Sequence, residues 1–524
     1  MKRNLLAALC LFLVAGGMAV LAAGPKDGGV VVFGKPKDAR VLDPGICDEG
    51  NSSMVITNMF QPLITFKPGT SEFMPCLAAE MPTVSKDHKE ITFKLRQGVK
   101  FHDGTTMDAD AVVFSLKRQF DKSSPFNKFG PWNYWSGKGW SDTDKKQGIV
   151  KDVVKVDNST VKVLLNVPDQ SIMYNFALYF TDIVSPTAVQ KWGADFKSHP
   201  VGTGPFQFVE WIKDDHVALK RFDGYWGEKA HLDSVIFKVF PDEQARIAAL
   251  QTGEADIIDP TGPEGMKTIE ADPNLKLVPG DRLNMGYLCM QCQKGPFTNK
   301  KVRQALCFAV DRKTIMENVY GKTGVPEKLP MPSILWGYDK KLPDYTYDPA
   351  KARALLKEAG VPLPVKVEFL YLPAWRPYIP NGKRLAEIVQ AQLNAVGFDV
   401  EIKTFEMGTY WDKLDEGAFD LCENGWTGEG DPDDWLFNLL TEGYNNNGKW
   451  LNKEYIDLVT NAKFPGTIAE RAKLYYKAEK VMMDDYPILT IARGIEFRPM
   501  NKKIEGYKIY PDGFVWMASV WINK

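Results

Sequence analysis

Histidine is scarce in this chain. Five occur in 524 residues, at His88, His102, His199, His216 and His231, all in the first half and none paired at i+3 or i+4. HExxH and GxSxG are missing, so neither a zincin helix nor a nucleophile elbow is encoded. Gly202-Thr203-Gly204-Pro205 lacks the third glycine of a dinucleotide loop, and Pro205 removes a donor that a phosphate cradle would use. His102 is followed by Asp103, but adjacent residues rarely face each other, so a turn or strand end is expected there. Cys289-x-x-Cys292 has no second CxxC or Cys/His pair, which leaves half a zinc site. No Lys/Arg run appears, and the formal net charge is −1, so nucleic-acid binding by phosphate neutralisation has little support. These absences leave no catalytic residues, metal ligands or cofactor to nominate.

What is present is a folded, apolar-rich composition: 44% hydrophobic and 25% charged, ample for two or more lobes with their own cores. Residues 1–23 read as a signal peptide: basic MKRN, an uncharged apolar run, and small residues at Ala22 and Ala23. The alternative is an uncleaved membrane anchor. Cys10 sits inside the apolar run after Leu9, which disfavours a lipoprotein cysteine. Six cysteines remain beyond the leader, at Cys47, Cys76, Cys289, Cys292, Cys307 and Cys422. Export makes one or more disulfides possible; for Cys289-x-x-Cys292 buried thiols or a local disulfide are the plainer expectation.

The first half is strand-rich, with ITFKLRQGVKFHDG, TVKVLLNV and SVIFKVFP as strands between turn residues. DEQARIAALQTGEADI carries a helix with Ala245, Ala248 and Ala249 on one side, closed by Gly253. The polar, glycine-bearing segment 137–148 reads as a surface loop. In the second half Asp348-Pro349 opens a helix, Ala352, Leu355, Leu356 and Ala359 mark its stripe, and Gly360 ends it. A strand at 365–371, a helix at 383–397, a strand at 398–404, a short helix near 408–416 and a strand at 419–426 follow. Strand and helix alternate at the spacing of right-handed crossovers and a parallel sheet.

Ligands of open α/β sheets lie beyond the carboxyl ends of the strands. One strand runs out at LPAWRPY and another at GWTGEGDPDDW, so Arg376 and the acidic loop 425–435 are expected on one rim. That loop fails the calcium test, because Pro432 interrupts its alternating acids and Leu436 stands where an EF-hand needs glycine. Asp433 and Asp434 also suit a solvated helix start, the reading taken for Asp434. A guanidinium and a carboxylate side by side fit a zwitterionic ligand; the alternative is that Arg376 pairs with an acid of the loop and nothing binds.

Several ordered motifs add to this reading: LRQGVKFHDGTTMDADAVVFSLKR (95–118), PVGTGPFQF (200–208), RFDGYWG (221–227), ARIAALQTGEADI (245–257), NKKVRQALCFAVDRKTI (299–315), DPAKARALLKEAG (348–360) and RPYIPNGKRLAEIVQ (376–390). With them the chain resembles the periplasmic solute-binding proteins of ABC transporters, family 5, the dipeptide/oligopeptide-binding family, and most closely its dipeptide-binding branch. The resemblance implies a two-lobed α/β periplasmic binding protein of type II, large peptide-binding subclass, with the ligand cleft between lobes, and no enzyme. Lobe 1 would comprise 24–283 plus 494–524, with an inserted subdomain at about 65–199, and lobe 2 would comprise 284–493. The crossings would fall near Asp281–Tyr287 and Ile491–Phe497. It implies capture of dipeptides or short oligopeptides in the periplasm, or at the cell surface if anchored. Delivery would be to the inner-membrane permease subunits, with the protein acting as a monomer. By the same resemblance Arg376, with Tyr378 beside it, holds the peptide carboxylate, and an acid after Trp426-Thr427-Gly428 holds the amine. Here the loop is one residue shorter than the dipeptide pattern, so Glu429 or Asp431 would take that role. The alternatives are another small solute (a nickel chelate, haem or glutathione) and, further off, a secreted hydrolase. Lobe 2 has no histidine to offer a metal.

Overall fold

The computed structural model describes residues 24–523 except 138, 143–146, 170–171, 444 and 464–466. The expected leader and Cys10 lie outside the described residues, as does part of segment 137–148.

Two large cores are connected by one sheet. Buried residues of the first core come from Val31–Phe237, Ile257 and Met500–Val520, and those of the second all lie between Leu283 and Ala492. A third core, Leu63–Ile183, belongs to a separate four-stranded antiparallel sheet that includes Glu90–Lys94, Val150–Asp157 and Thr160–Leu165. The strand Ile488–Asn501 links the cores. It pairs antiparallel with Asn284–Met290 on the second core's side and with Leu275–Asp281 on the first core's side. Arg493 lies between the two pairings and bonds Asp281 and Glu327. Two adjacent strands crossing between packed bodies make a narrow connection, the geometry of hinge closure.

The second core shows the alternation legible in the sequence. Val365–Leu370 runs parallel to Phe398–Lys403 and to Leu421–Thr427. Between them lies the helix Gly382–Asn394, which buries Leu385, Ile388, Val389 and Leu393 at helical spacing. The helix Pro349–Ala359 is capped by Asp348 and stopped by Gly360 in the left-handed region, φ +66°. Antiparallel Asn284–Met290 completes the wall behind Leu421–Thr427.

Two expectations are corrected, and a third, left open, is decided. The helix Glu243–Thr252 buries Arg246, Ile247, Ala249 and Leu250, while Ala245 and Ala248 face outward. Arg246 goes inside because its guanidinium donates to the carbonyls of Phe240 and Pro241. Segment 137–148 is not all surface: Trp140 is buried against Trp135 and Phe176. All six described cysteines are free thiols.

His102 stacks edge-on to Phe222, and its two ring nitrogens meet Gly204 O at 3.0 Å and Gly202 N at 3.3 Å. Burial lowers its pKa to about 4. Asp103 turns away to accept from Ser185 Oγ at 2.6 Å. A Cβ on Gly202 would lie 2.2 Å from Met59 O, so the glycine there allows this close crossing. The GTGP motif is a structural junction held by a neutral histidine.

Candidate functional site

Because Val365–Leu370 and Leu421–Thr427 are parallel, the segments that follow them emerge on the same rim. Arg376 lies on the first, where its backbone exchanges hydrogen bonds with Ile379 in a tight turn. Tyr378 is wedged under it. A Cβ on Gly425 would meet the Tyr378 ring at 2.1 Å, and one on Gly286 would meet Tyr378 O at the same distance. Tyr320 Oη donates to Tyr378 O at 2.7 Å. Burial raises the Tyr378 hydroxyl pKa, opposed by the neighbouring Arg376 guanidinium.

The Arg376 guanidinium donates to Trp375 O at 3.0 Å and touches Met407 Sδ. Among the described residues, no carboxylate lies within ion-pair distance of it. A half-buried guanidinium with no carboxylate in reach has donors to offer an anion. Arg376, Tyr378 and Trp426 line one pocket of about 390 Å³, together with Trp411, Asp415 and Asn424. Asn445 and Asn447 close another side. Asp415 accepts from Asn447 Nδ2 at 3.3 Å, and Asn424 Nδ2 donates to Asn447 Oδ1 at 2.9 Å. The pocket thus offers a cation, an acid, amides and aromatic faces in one enclosure.

The acidic loop is organised differently. Asp431 forms a two-pronged ion pair with Arg471 of the helix Ile468–Asp485, at 2.8 and 2.7 Å, and both side chains are buried. Asp431 is therefore already spent on its own lobe, which corrects its nomination as an amine ligand. Asp433 faces Lys463 at 3.4 Å, and burial raises its pKa to about 7. Asp434 accepts from Trp426 Nε1 at 3.0 Å and from Glu429 N at 2.9 Å, stapling the loop closed. It is more than the solvated helix start expected. Gly428 makes the staple fit, since a Cβ there would lie 2.4 Å from Asp434 Oδ2. Glu429 is half-buried, and its carbonyl accepts from Trp435 Nε1 at 2.7 Å. Its charge is one of those that raise the Tyr174 hydroxyl pKa, after burial and Asp512. Gly430 rests on that Tyr174 ring: a Cβ would lie 2.6 Å from it. The loop is thus one contact between the two bodies, and Gly428, Glu429 and Asp431 do not line the Arg376 pocket.

Asp415, Trp411, Asn424, Asn445 and Asn447 were not singled out from the sequence. Asp415 ends the helix Met407–Asp415, where an acid reads as solvated; the run Asn445-Asn446-Asn447 was the one available signal.

Two bodies joined by crossing strands, with a pocket at the strand ends of the second and the acidic loop touching the first, have the architecture of a two-lobed binding protein. The sequence matches the model of the bacterial extracellular solute-binding proteins, family 5 Middle, over residues 72–448. The chain belongs to that family, whose members are binding proteins and not enzymes, and it is a substrate-binding component of an ABC importer. It is 37% identical to the dipeptide-binding protein of Escherichia coli K12 over 473 residues, 87% of each chain. It is 34% identical to haem-binding protein A of Haemophilus influenzae over 491 residues, 90% of this chain and 88% of that one. Among solved structures it is similar to HbpA2 from Haemophilus parasuis, with TM-score 0.87 and 32% identity, covering 94% of this chain and 100% of that one. Among the described residues no helix is long and apolar enough to cross a membrane.

Proposed function

We propose that the protein captures dipeptides or short oligopeptides in the periplasm and passes them, as a monomer with no nucleic-acid partner, to an inner-membrane permease. The ligand lies between lobe 1 (24–283 plus 494–524) and lobe 2 (284–493). The single observation that carries this is Arg376, a guanidinium in an aromatic- and amide-lined pocket with no described carboxylate in ion-pair distance of it. It takes the peptide carboxylate, with Tyr378 fixing its place. The amine is offered two acids: Asp415 within the same pocket and Glu429 on the loop against Tyr174. Trp426 and Trp411 supply apolar contact.

The energetics require this combination. A hydrogen bond to a charged group is worth about 1.5–3 kcal/mol. Micromolar binding needs roughly 8 kcal/mol net. End charges alone fall short once binding entropy is subtracted, so stacking and lobe closure must add the rest. A ligand gripped by its termini leaves its side chains lightly read, which favours broad peptide choice. Haem is less well served, because lobe 2 offers no imidazole.

Calorimetry with a dipeptide and its C-terminal amide tests the grip. Amidation should weaken binding to the native protein as much as Arg376→Ala does, and should cost nothing further in the variant. Equal affinity for acid and amide in the native protein would sink the assignment, and release of free amino acids would support a hydrolase instead.

A further inference from the structure

Lobe 1 contains a second pocket, of about 180 Å³, where the inserted subdomain meets the larger sheet. It shares no lining residue with the Arg376 pocket. Its walls are aromatic: Phe60, Phe66, Tyr225, Trp226, Phe514 and Trp516. Two of these are fixed by one amide. Gln61 Nε2 donates to Tyr225 Oη and Gln61 Oε1 accepts from Trp226 Nε1, both at 2.8 Å. The polar groups of both rings are thereby spent on Gln61.

One polar group in the wall has no such arrangement. Asp182 is 2% exposed, and its Oδ1 has no hydrogen-bond partner among the described residues. No cation lies within ion-pair distance of it there. The nearby Arg96 is engaged elsewhere: its Nε donates to Cys76 O at 2.6 Å and its guanidinium covers the Trp226 ring at 4.7 Å. The other titratable groups lining the pocket are the Cys76 thiol and the Tyr179, Tyr225 and Tyr510 hydroxyls, none of which is a cation. A buried carboxyl without a donor is costly unless it is protonated or meets a cation. Here burial alone raises its pKa far above the ordinary carboxyl range.

We propose that this lobe 1 pocket binds an organic cation, an ammonium group seated among the aromatic faces with Asp182 as its counter-ion. Aromatic faces attract a cation through their quadrupoles, more strongly when water is excluded. The carboxylate supplies the charge that an apolar cage lacks. The cation comes either as a free small molecule or as a basic side chain of a bound peptide; Phe66 forms the wall on the Tyr174 side, with ring centroids 5.2 Å apart, and Tyr174 carries the acidic loop. Burial favours the protonated form of Asp182 and the charge of a bound cation favours its carboxylate, so cation binding and proton release are linked.

The test is calorimetry on the full mature chain in two buffers of different ionisation enthalpy. The probes are choline, its uncharged analogue with carbon in place of nitrogen, and the dipeptides Ala-Lys and Ala-norleucine. Choline should bind at least roughly tenfold tighter than its analogue, with proton release near neutral pH. Asp182→Asn should erase that preference and the proton release, while Arg376→Ala should leave both intact. If Ala-Lys outbinds Ala-norleucine in the native protein and loses this advantage in Asp182→Asn, the cation is a ligand side chain. If choline alone shows the effect, the site serves a free cation. Equal binding of each charged and uncharged pair by the native protein would overturn the proposal, and that comparison needs no variant to fold. Because Arg376→Ala is read in parallel, failure of the peptide grip and failure of this site give different results.

Discussion

Arg376 and Arg471 lie in the same lobe, but the sequence places only Arg376 near the acidic loop; the structure brings Arg471 there. Arg471 is buried and fully engaged: two bonds to Asp431, one to Ala462 O, and its guanidinium 4.9 Å from the Trp336 ring centroid. Arg376 is half-buried and, among the described residues, has no carboxylate partner. A guanidinium with most of its donors spent on buried partners holds the fold together. One with donors unspent at a pocket wall suits the ligand grip proposed for Arg376. The sharpest way to break the comparison is at Asp431. Asp431→Ala strands a buried guanidinium and should cost about 3–5 kcal/mol of stability in chemical denaturation. Peptide affinity of the remaining folded protein should change little. A large affinity loss with unchanged stability would return Asp431 to the binding site.

The converse variant moves the other quantity. Arg376→Ala should leave stability within about 0.5 kcal/mol and weaken peptide binding by about 1.5–3 kcal/mol. Thermal denaturation and calorimetry on one preparation separate the two. On the acid side, Asp415→Asn and Glu429→Gln compare the two amine partners. The one that carries the amine should lose roughly tenfold in affinity for a dipeptide and nothing for its N-acetylated form. Equal, small losses from both would assign the amine to neither.

Much of this lobe was legible because its signals are local. The helix Gly382–Asn394 announces its buried face through large apolar residues at helical spacing, and Asp348 and Gly360 mark the ends of the helix between them. Parallel pairing followed from alternation, and with it the shared rim of Arg376 and the loop. The role of Asp431 was not legible, since its partner lies 40 residues away on a helix whose own pattern is complete without it. Asp415 stayed hidden for a related reason: its pocket is assembled from side chains on separate segments, and no spacing records that meeting. In the helix Glu243–Thr252 the small alanines gave too weak a stripe to fix its rotation, and a buried arginine bonded to backbone carbonyls overrode it. Burial of Trp140 depends on Trp135 and Phe176, which pack around it from outside segment 137–148.

The smallest effect lies in Asp433, between the two arginines in character: it has a partner, Lys463 at 3.4 Å, yet its Oδ1 is buried without a hydrogen bond among the described residues. Burial outweighs Lys463 and raises the carboxyl from 3.8 to about 7. Between those values the unfolded chain has released a proton that the folded protein still holds. Stability from this group is therefore fullest below pH 4, falls as pH rises through the window, and levels off above 7. Asp433→Asn should flatten that part of the stability–pH curve and relatively favour the variant at pH 8. An unchanged slope between pH 4 and 7 would mean that Lys463 neutralises Asp433 in the fold. Asp433 would then resemble the Asp431–Arg471 pair, an acid of the loop committed to structure.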